Sequence, residues 1–201
     1  MNSKPKKICT VVGARPQFVK CAVLRHALSE TPNINEVLIH TGQHYDHLMS
    51  NVFFEQLTIR PAEHHLELEN RKHGAMTGEM MGGIERIFED EQPDLCLVYG
   101  DTNSTLAGAL VASKMHIPVC HVEAGLRSFN RAMPEEINRI LTDHVSELLF
   151  CSTEESVKNL KDENVRDGVF LVGDIMFDAV KMFAPKGDGE TVRKSFGLSQ
   201  A

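Results

Sequence analysis

The sequence predicts an α/β fold in which a parallel sheet is covered by helices on both faces. Two observations predict it. Short runs rich in Val, Ile and Leu alternate along the chain with longer segments of helical period. Most of those runs are apolar on consecutive positions, as expected of strands buried on both faces. Strand–helix–strand alternation of this kind closes a parallel sheet through right-handed crossovers.

Residues 7–12 form the first predicted strand and residues 17–29 the first helix, with Pro16 where an opening turn tolerates proline. A strand at 36–40 and a helix at 46–56 follow. The stretch 60–73 is polar without a clear period and reads as a long excursion near the strand ends. A helix at 74–90 leads to a strand at 95–98, and a helix at 104–114 leads to a strand at 117–122. Pro134 opens a helix at 135–146, which a strand at 148–151 follows. Thr153-Glu154-Glu155-Ser156 carries a helix-start signal for 154–161, and a strand at 169–172 ends the series. Residues 185–189 read as a loop, and 190–196 as one short helix stopped by Gly197. One α/β domain therefore spans 1–184, and 185–201 reads as a linker with a short helix.

At 201 residues, 42% hydrophobic and 24% charged, the chain has the composition of an ordinary globular protein. Its net charge of −7 argues against nucleic acid or an anionic membrane as partner. No apolar run is long enough to span a membrane. The apolar stretch after the basic N-terminus ends at Gly13, too short for a signal-peptide core. The five cysteines (Cys9, Cys21, Cys96, Cys120, Cys151) are scattered without a CxxC, which reads as reduced core thiols in a cytoplasmic protein. His40, His44 and His47 lack an acidic or cysteine partner, so no metal is expected.

The chemistry-bearing residues lie just after the predicted strands, where open α/β sheets bind ligands. Gly13-Ala14-Arg15-Pro16 follows the first strand and opens a helix, a natural anion site, with Lys20 one turn on. A plain turn with solvated basic residues is the alternative. The GxGxxG dinucleotide fingerprint is absent. Gln43 and His44 follow the second strand and are ligand candidates or loop residues. Asp101 follows Gly100 at a strand end, where it either caps the next helix or does chemistry. Glu123 has no helix of its own to cap, which favours chemistry, since a carboxylate there must be paired or used. Glu135 and Glu136 open a helix, where acidic residues meet the dipole favourably, and only one of them is expected to face the crevice. Arg139 is placed to pair with Glu135.

These residues, with Thr41-Gly42-Gln43-His44, Gly100-Asp101-Thr102, His121-Val122-Glu123-Ala124-Gly125-Leu126-Arg127 and Pro134-Glu135-Glu136-Ile137-Asn138-Arg139, resemble in order and spacing the non-hydrolysing UDP-N-acetylglucosamine 2-epimerases. Val172-Gly173-Asp174 with Asp178-Ala179 resembles the family's next segment, so the likeness runs over nearly the whole chain. Arg127-Ser128-Phe129-Asn130-Arg131 and His73-Gly74-x-Met76-Thr77-Gly78 look more like the subgroup acting on UDP-2,3-diacetamido-2,3-dideoxyglucuronate.

The resemblance implies two Rossmann-like domains with the active site between them, as in the GT-B fold, of which this chain matches the N-terminal one. It implies elimination of UDP to a glycal and re-addition with carbon 2 inverted. Asp101, Glu123 and Glu135 would be catalytic, and Arg15, Lys20, Gln43, His44 and Arg139 would bind the substrate. No nicotinamide or metal cofactor is implied. The implied partners are a UDP-sugar, further copies of the chain as a homo-oligomer, and a separate UDP-binding C-terminal domain. A GT-B glycosyltransferase half-domain and a non-catalytic nucleotide-sugar or partner-binding domain are the competing readings.

Overall fold

A computed structural model describes residues 4–43, 57, 60–69, 72–184 and 189–197. The elements in order are β1 (Lys6–Val12), α1 (Arg15–Ser29), β2 (Ile34–His40), β3 (His64–His65), α2 (His73–Glu91), β4 (Leu95–Tyr99) and α3 (Asn103–Lys114). Then come β5 (Val119–Ala124), α4 (Pro134–His144), β6 (Leu148–Cys151), α5 (Glu154–Asp162), β7 (Val169–Leu171), α6 (Ile175–Phe183) and α7 (Gly189–Ser195). The strands form one seven-stranded sheet in the order β3-β2-β1-β4-β5-β6-β7, and every pairing is parallel.

Side chains alternate across that sheet, because successive strand residues point to opposite faces. Cys9 and Val11 of β1, Val37 and Ile39 of β2, and Cys96 and Val98 of β4 share one core with Met80, Ile84 and Phe88 of α2. Ile8 and Val12, Leu38, and Leu97 and Tyr99 face the opposite core, with Phe18 and Cys21 of α1 and Ile175 and Phe183 of α6. Both faces are thus covered, which is why the strands read as continuous apolar runs. All five cysteines are free and buried. Burial pushes the Cys9 and Cys120 thiols up to about 12 and Cys151 up to about 11. No helix among the described residues is long and apolar enough to cross a membrane.

The structure differs from the sequence reading in three places. The excursion 60–73 contains β3, which adds a seventh strand beside β2. Two residues are too few to show a period. The segment Ile175–Phe183 is helical, with Asp174 as its cap accepting from the Met176 N–H at 2.8 Å. Its apolar run follows a strand end and hides its helical face. The strand predicted at 117–122 is displaced to Val119–Ala124, so Glu123 lies inside β5. The helix expected at 46–56 lies outside the described residues.

Candidate active site

The strand order reverses at β1, which pairs with β2 on one side and β4 on the other. In an open α/β sheet that switch point, beyond the carboxyl ends of the strands, is the ligand crevice. Gly13 makes the approach of the neighbouring turns feasible. A Cβ there would lie 2.1 Å from Ser104 Oγ and 2.2 Å from Thr41 Oγ1. The two hydroxyls are themselves bonded at 2.7 Å, linking the β2 end to the start of α3.

Gln17, which sequence reasoning passed over as an ordinary helical position, locks the crevice. Its Oε1 accepts from the Gly13 and Ala14 N–H groups at 2.8 and 3.0 Å. Its Nε2 donates to Tyr99 O at 2.8 Å and to Thr105 Oγ1 at 3.0 Å, so one buried amide ties the β1–α1 turn to the β4–α3 turn.

Asp101 and Glu123 stand at the ends of adjacent strands, with Tyr99 paired to Val122 and the Gly100 N–H donating to Val122 O at 3.0 Å. Asp101 is not the helix cap. Thr102 is, its hydroxyl accepting from the Thr105 N–H. The Asp101 carboxylate, 36% exposed, instead pairs with Arg139. Glu123 has φ 73°, a left-handed conformation that costs a non-glycine residue energy and marks functional sites. It sits at a bulge where β5 shifts register against β6. Its carboxylate pairs with Lys20, whose side chain is 9% exposed. Gly100, at φ 61°, leaves room for it: a Cβ there would lie 3.2 Å from Glu123 Oε2.

Glu135 and Glu136 separate as helical geometry requires. Glu136 is buried and Glu135 exposed. Glu136 accepts from Ser128 N–H and Oγ and from Phe129 N–H, each at 2.9 Å. Arg139, expected to pair with Glu135, pairs with Asp101 and with Glu136 at 3.2 Å. Burial works against the Glu136 carboxylate, but the Ser128 and Phe129 donors and Arg139 outweigh it and hold it below the usual range.

Arg15 is the half-buried first residue of α1. Gln43 spends its Oε1 on Ser104, accepting from its N–H at 3.0 Å and its hydroxyl at 2.7 Å. His44 lies outside the described residues.

Beneath the carboxylates runs a buried polar network whose roles the sequence did not reveal. His121 is fully buried; its Nε2 donates to Gly100 O at 2.7 Å and its Nδ1 meets Asp143 Oδ1 at 2.7 Å. Asp143 also receives Arg127 at 2.6 Å and the Gly125 N–H at 3.1 Å. Burial raises its cost, yet His121 and Arg127 outweigh it, so the carboxyl is held below its usual range. His121 and Asp143 therefore fix the peptide before Asp101 and the Ala124–Gly125 peptide, one residue beyond Glu123. The signal in the sequence was polar residues inside otherwise apolar or helical runs, which needs a partner to be read.

A parallel α/β domain with charged turns at its switch point is the class that fold and site define. Residues 26–197 match the UDP-N-acetylglucosamine 2-epimerase family, and the chain belongs to that family. It is 52% identical over 183 residues to the UDP-2,3-diacetamido-2,3-dideoxy-D-glucuronate 2-epimerase of Pseudomonas aeruginosa, covering 90% of this chain and 52% of that protein. The UDP-GlcNAc 2-epimerase of Methanocaldococcus jannaschii, solved with UDP-GlcNAc and UDP, superposes with a TM-score of 0.87 at 43% identity, covering 97% of this chain and 53% of that one. The Neisseria meningitidis UDP-GlcNAc 2-epimerase bound to UDP-GlcNAc superposes with a TM-score of 0.85 at 33% identity over 94% and 52% of the two chains. The chain thus spans about half the length of the relatives it matches.

Proposed function

We propose that the chain is the N-terminal half of an isomerase that inverts carbon 2 of a UDP-N-acetylhexosamine or of its diacetamido-uronic counterpart. The observation that carries this reading is the pair of strand-end carboxylates, each held by its own cation: Glu123 by Lys20 and Asp101 by Arg139. In the first step a base takes the proton on carbon 2. The C–H electron pair becomes the double bond between carbons 1 and 2, and the bond from carbon 1 to UDP breaks toward the diphosphate. In the second step the diphosphate oxygen returns to carbon 1 and carbon 2 is protonated on its opposite face.

Asp101, Glu123 and Glu135 are the groups assigned to hold the protons and to face the positive charge that builds at carbon 1. Lys20 and Arg139 orient Glu123 and Asp101 in the free site and, with Arg15, offset the departing diphosphate. Gln43, its carbonyl oxygen engaged by Ser104, keeps its amide hydrogens for the sugar, and His44 lies next to it in sequence. On this reading residues 1–184 are one wall of the cleft, and 185–201 lead to the UDP-binding half that makes up the rest of the relatives' length. Five buried free thiols fit a cytoplasmic setting. The apolar exposure of Phe170, Leu171, Phe177 and Val180 fits contact with the second half or with further copies in a homo-oligomer.

The test joins this chain to the second half of the M. jannaschii enzyme and follows deuterium entering carbon 2 of UDP-N-acetylglucosamine in deuterated water. Exchange is expected, and Asp101→Asn or Glu123→Gln should each lower it by about 10²–10⁴-fold, the usual worth of an acid–base group. Near-normal exchange in both variants would remove the catalytic assignment.

A further inference from the structure

His121 is a buried histidine to which the proposed chemistry gives no part. It lies in mid-strand on β5, level with Val98 of β4 and Leu149 of β6. Both neighbours are apolar and, like His121, fully buried, so packing alone would place an apolar side chain here too. A buried charged pair in such a place adds little to stability over apolar residues of similar volume. The partners of the ring supply another account of it.

Both ring nitrogens face acceptors. Nε2 lies 2.7 Å from the Gly100 carbonyl oxygen, which has no hydrogen to give. Nδ1 lies 2.7 Å from Asp143 Oδ1. That carboxyl also receives the Gly125 N–H at 3.1 Å and Arg127 Nη1 at 2.6 Å. Burial works against its charge, but His121 and Arg127 hold it below its usual range, so it too can only accept. Each ring nitrogen must then carry a hydrogen and donate it. The charges of the cluster balance on that assignment: His121 and Arg127 stand against Asp143 and Glu163, with Arg127 Nε 2.7 Å from Glu163 Oε1.

The hold acts on a backbone that does not fix itself. Gly100 is at φ 61°, and glycine restricts its own conformation less than any other residue. Its N–H is tied to Val122 O at 3.0 Å and its carbonyl to His121, so both bonds run to β5. The next carbonyl, that of Asp101, accepts from Asn138 Nδ2 at 2.9 Å. The peptide groups on both sides of Asp101 are thus clamped from beneath, while its carboxylate stays open toward the crevice and Arg139. Reacting groups need such support, since productive geometry tolerates only about 0.5 Å of displacement.

We propose that His121 is a positioning residue for the reaction: donating through both ring nitrogens, it ties the Gly100 carbonyl to Asp143 and so sets where the Asp101 carboxylate meets the sugar. The proposal rests on the epimerase reading above. One test uses the 201-residue chain with isotope-labelled histidine, observed by NMR at neutral pH. The ring signals that vanish in His121→Gln should show a hydrogen on each nitrogen, and a bare ring nitrogen would overturn the proposal. The other test uses the chain joined to the second half of the M. jannaschii enzyme and follows deuterium entering carbon 2. Asparagine carries its amide nitrogen near the place of Nδ1, and glutamine near that of Nε2. His121→Asn should therefore keep Asp143 but release the Gly100 carbonyl, slowing kcat by about 10²-fold with KM nearly unchanged. His121→Gln should keep the carbonyl and most of the rate. In the Asp101→Asn background His121→Asn should cost nothing further, because it acts through that carboxylate. No loss in His121→Asn, equal losses in both His121 variants, or a His121→Asn loss undiminished beside Asp101→Asn would overturn the proposal and spare the epimerase reading. A parent without exchange would remove that reading and this role with it.

Discussion

Glu123 shows how one residue carries both strain and charge. Its backbone is left-handed at φ 73°, and its carboxylate is the partner of a nearly buried ammonium. Removing one member of such a pair leaves the other uncompensated, at a cost of about 3–5 kcal/mol when fully buried. The Glu123 side chain is 23% exposed, so the cost here is smaller, about 1–3 kcal/mol. Glu123→Gln and Lys20→Met should each destabilise the chain by that amount, and the double variant by less than the sum. Urea unfolding of the four proteins measures the coupling, and strict additivity would mean that the ion pair is not formed in solution. Asp101 behaves differently. Its carboxylate is more open to water, so Asp101→Asn should cost under about 1 kcal/mol. The structure thus separates two carboxylates that the sequence presents as equivalent: one is tied into the stability of its strand end and one is not.

Among the elements, α4 turns polar rather than apolar side chains inward. Its inward residues Glu136, Asn138 and Asp143 are buried: Asn138 bonds to the backbone of Asp101, Asp143 to the turn after Glu123, and Glu136 to the 128–129 loop. The sheet and its helices were legible because double-sided burial leaves continuous apolar runs, a pattern local enough to read directly. The strand ends were legible for the same reason, since Asp101 and Glu123 follow those runs. The two-residue β3 was not, nor was the choice between Glu135 and Glu136 as partner of Arg139, which depends on how α4 is rotated against the 125–129 loop. The acid dependence of stability follows from this element. Glu136 and Asp143 are both held below their ordinary values of 4.5 and 3.8. A depressed carboxyl stabilises the fold above its unfolded value, and that contribution disappears as pH falls through the folded one. Unfolding free energy should therefore drop as pH is lowered from about 5 toward 2. Glu136→Gln should cost about 2–3 kcal/mol at pH 7, because its amide hydrogens would face the Ser128 and Phe129 donors. It should also flatten the acid limb. A variant whose stability falls as steeply with acid as the parent would show that Glu136 is not the titrating group.

At the scale of the molecule the sheet brings the assigned groups among the described residues to one edge, which on the proposed reading is one wall of a cleft. Arg15 and Lys20 come from α1, Asp101 from the end of β4, Glu123 from β5, and Glu135 and Arg139 from α4. The fold that positions them is self-supporting, with a core on each face of the sheet. The relatives of this chain are about twice as long. A polypeptide of these 201 residues should accordingly fold and yet not epimerise. A single wall leaves the diphosphate without the contacts that would hold carbon 2 against Glu123 or Asp101, and leaves water free to screen the charge at carbon 1. Orientation alone supplies about 7–11 kcal/mol in well-organised reactions, and exclusion of water strengthens each electrostatic contact beyond that. Losing even half of the orientation effect slows turnover by roughly three to four powers of ten, below detection for an ordinary enzyme. Purified chain, incubated with UDP-N-acetylglucosamine or its diacetamido-uronic analogue in deuterated water, should return the substrate with hydrogen still on carbon 2. The same chain joined to a second half should exchange it. Deuterium at carbon 2 with the single domain would show that the acid–base wall suffices and that enclosure contributes little to this reaction.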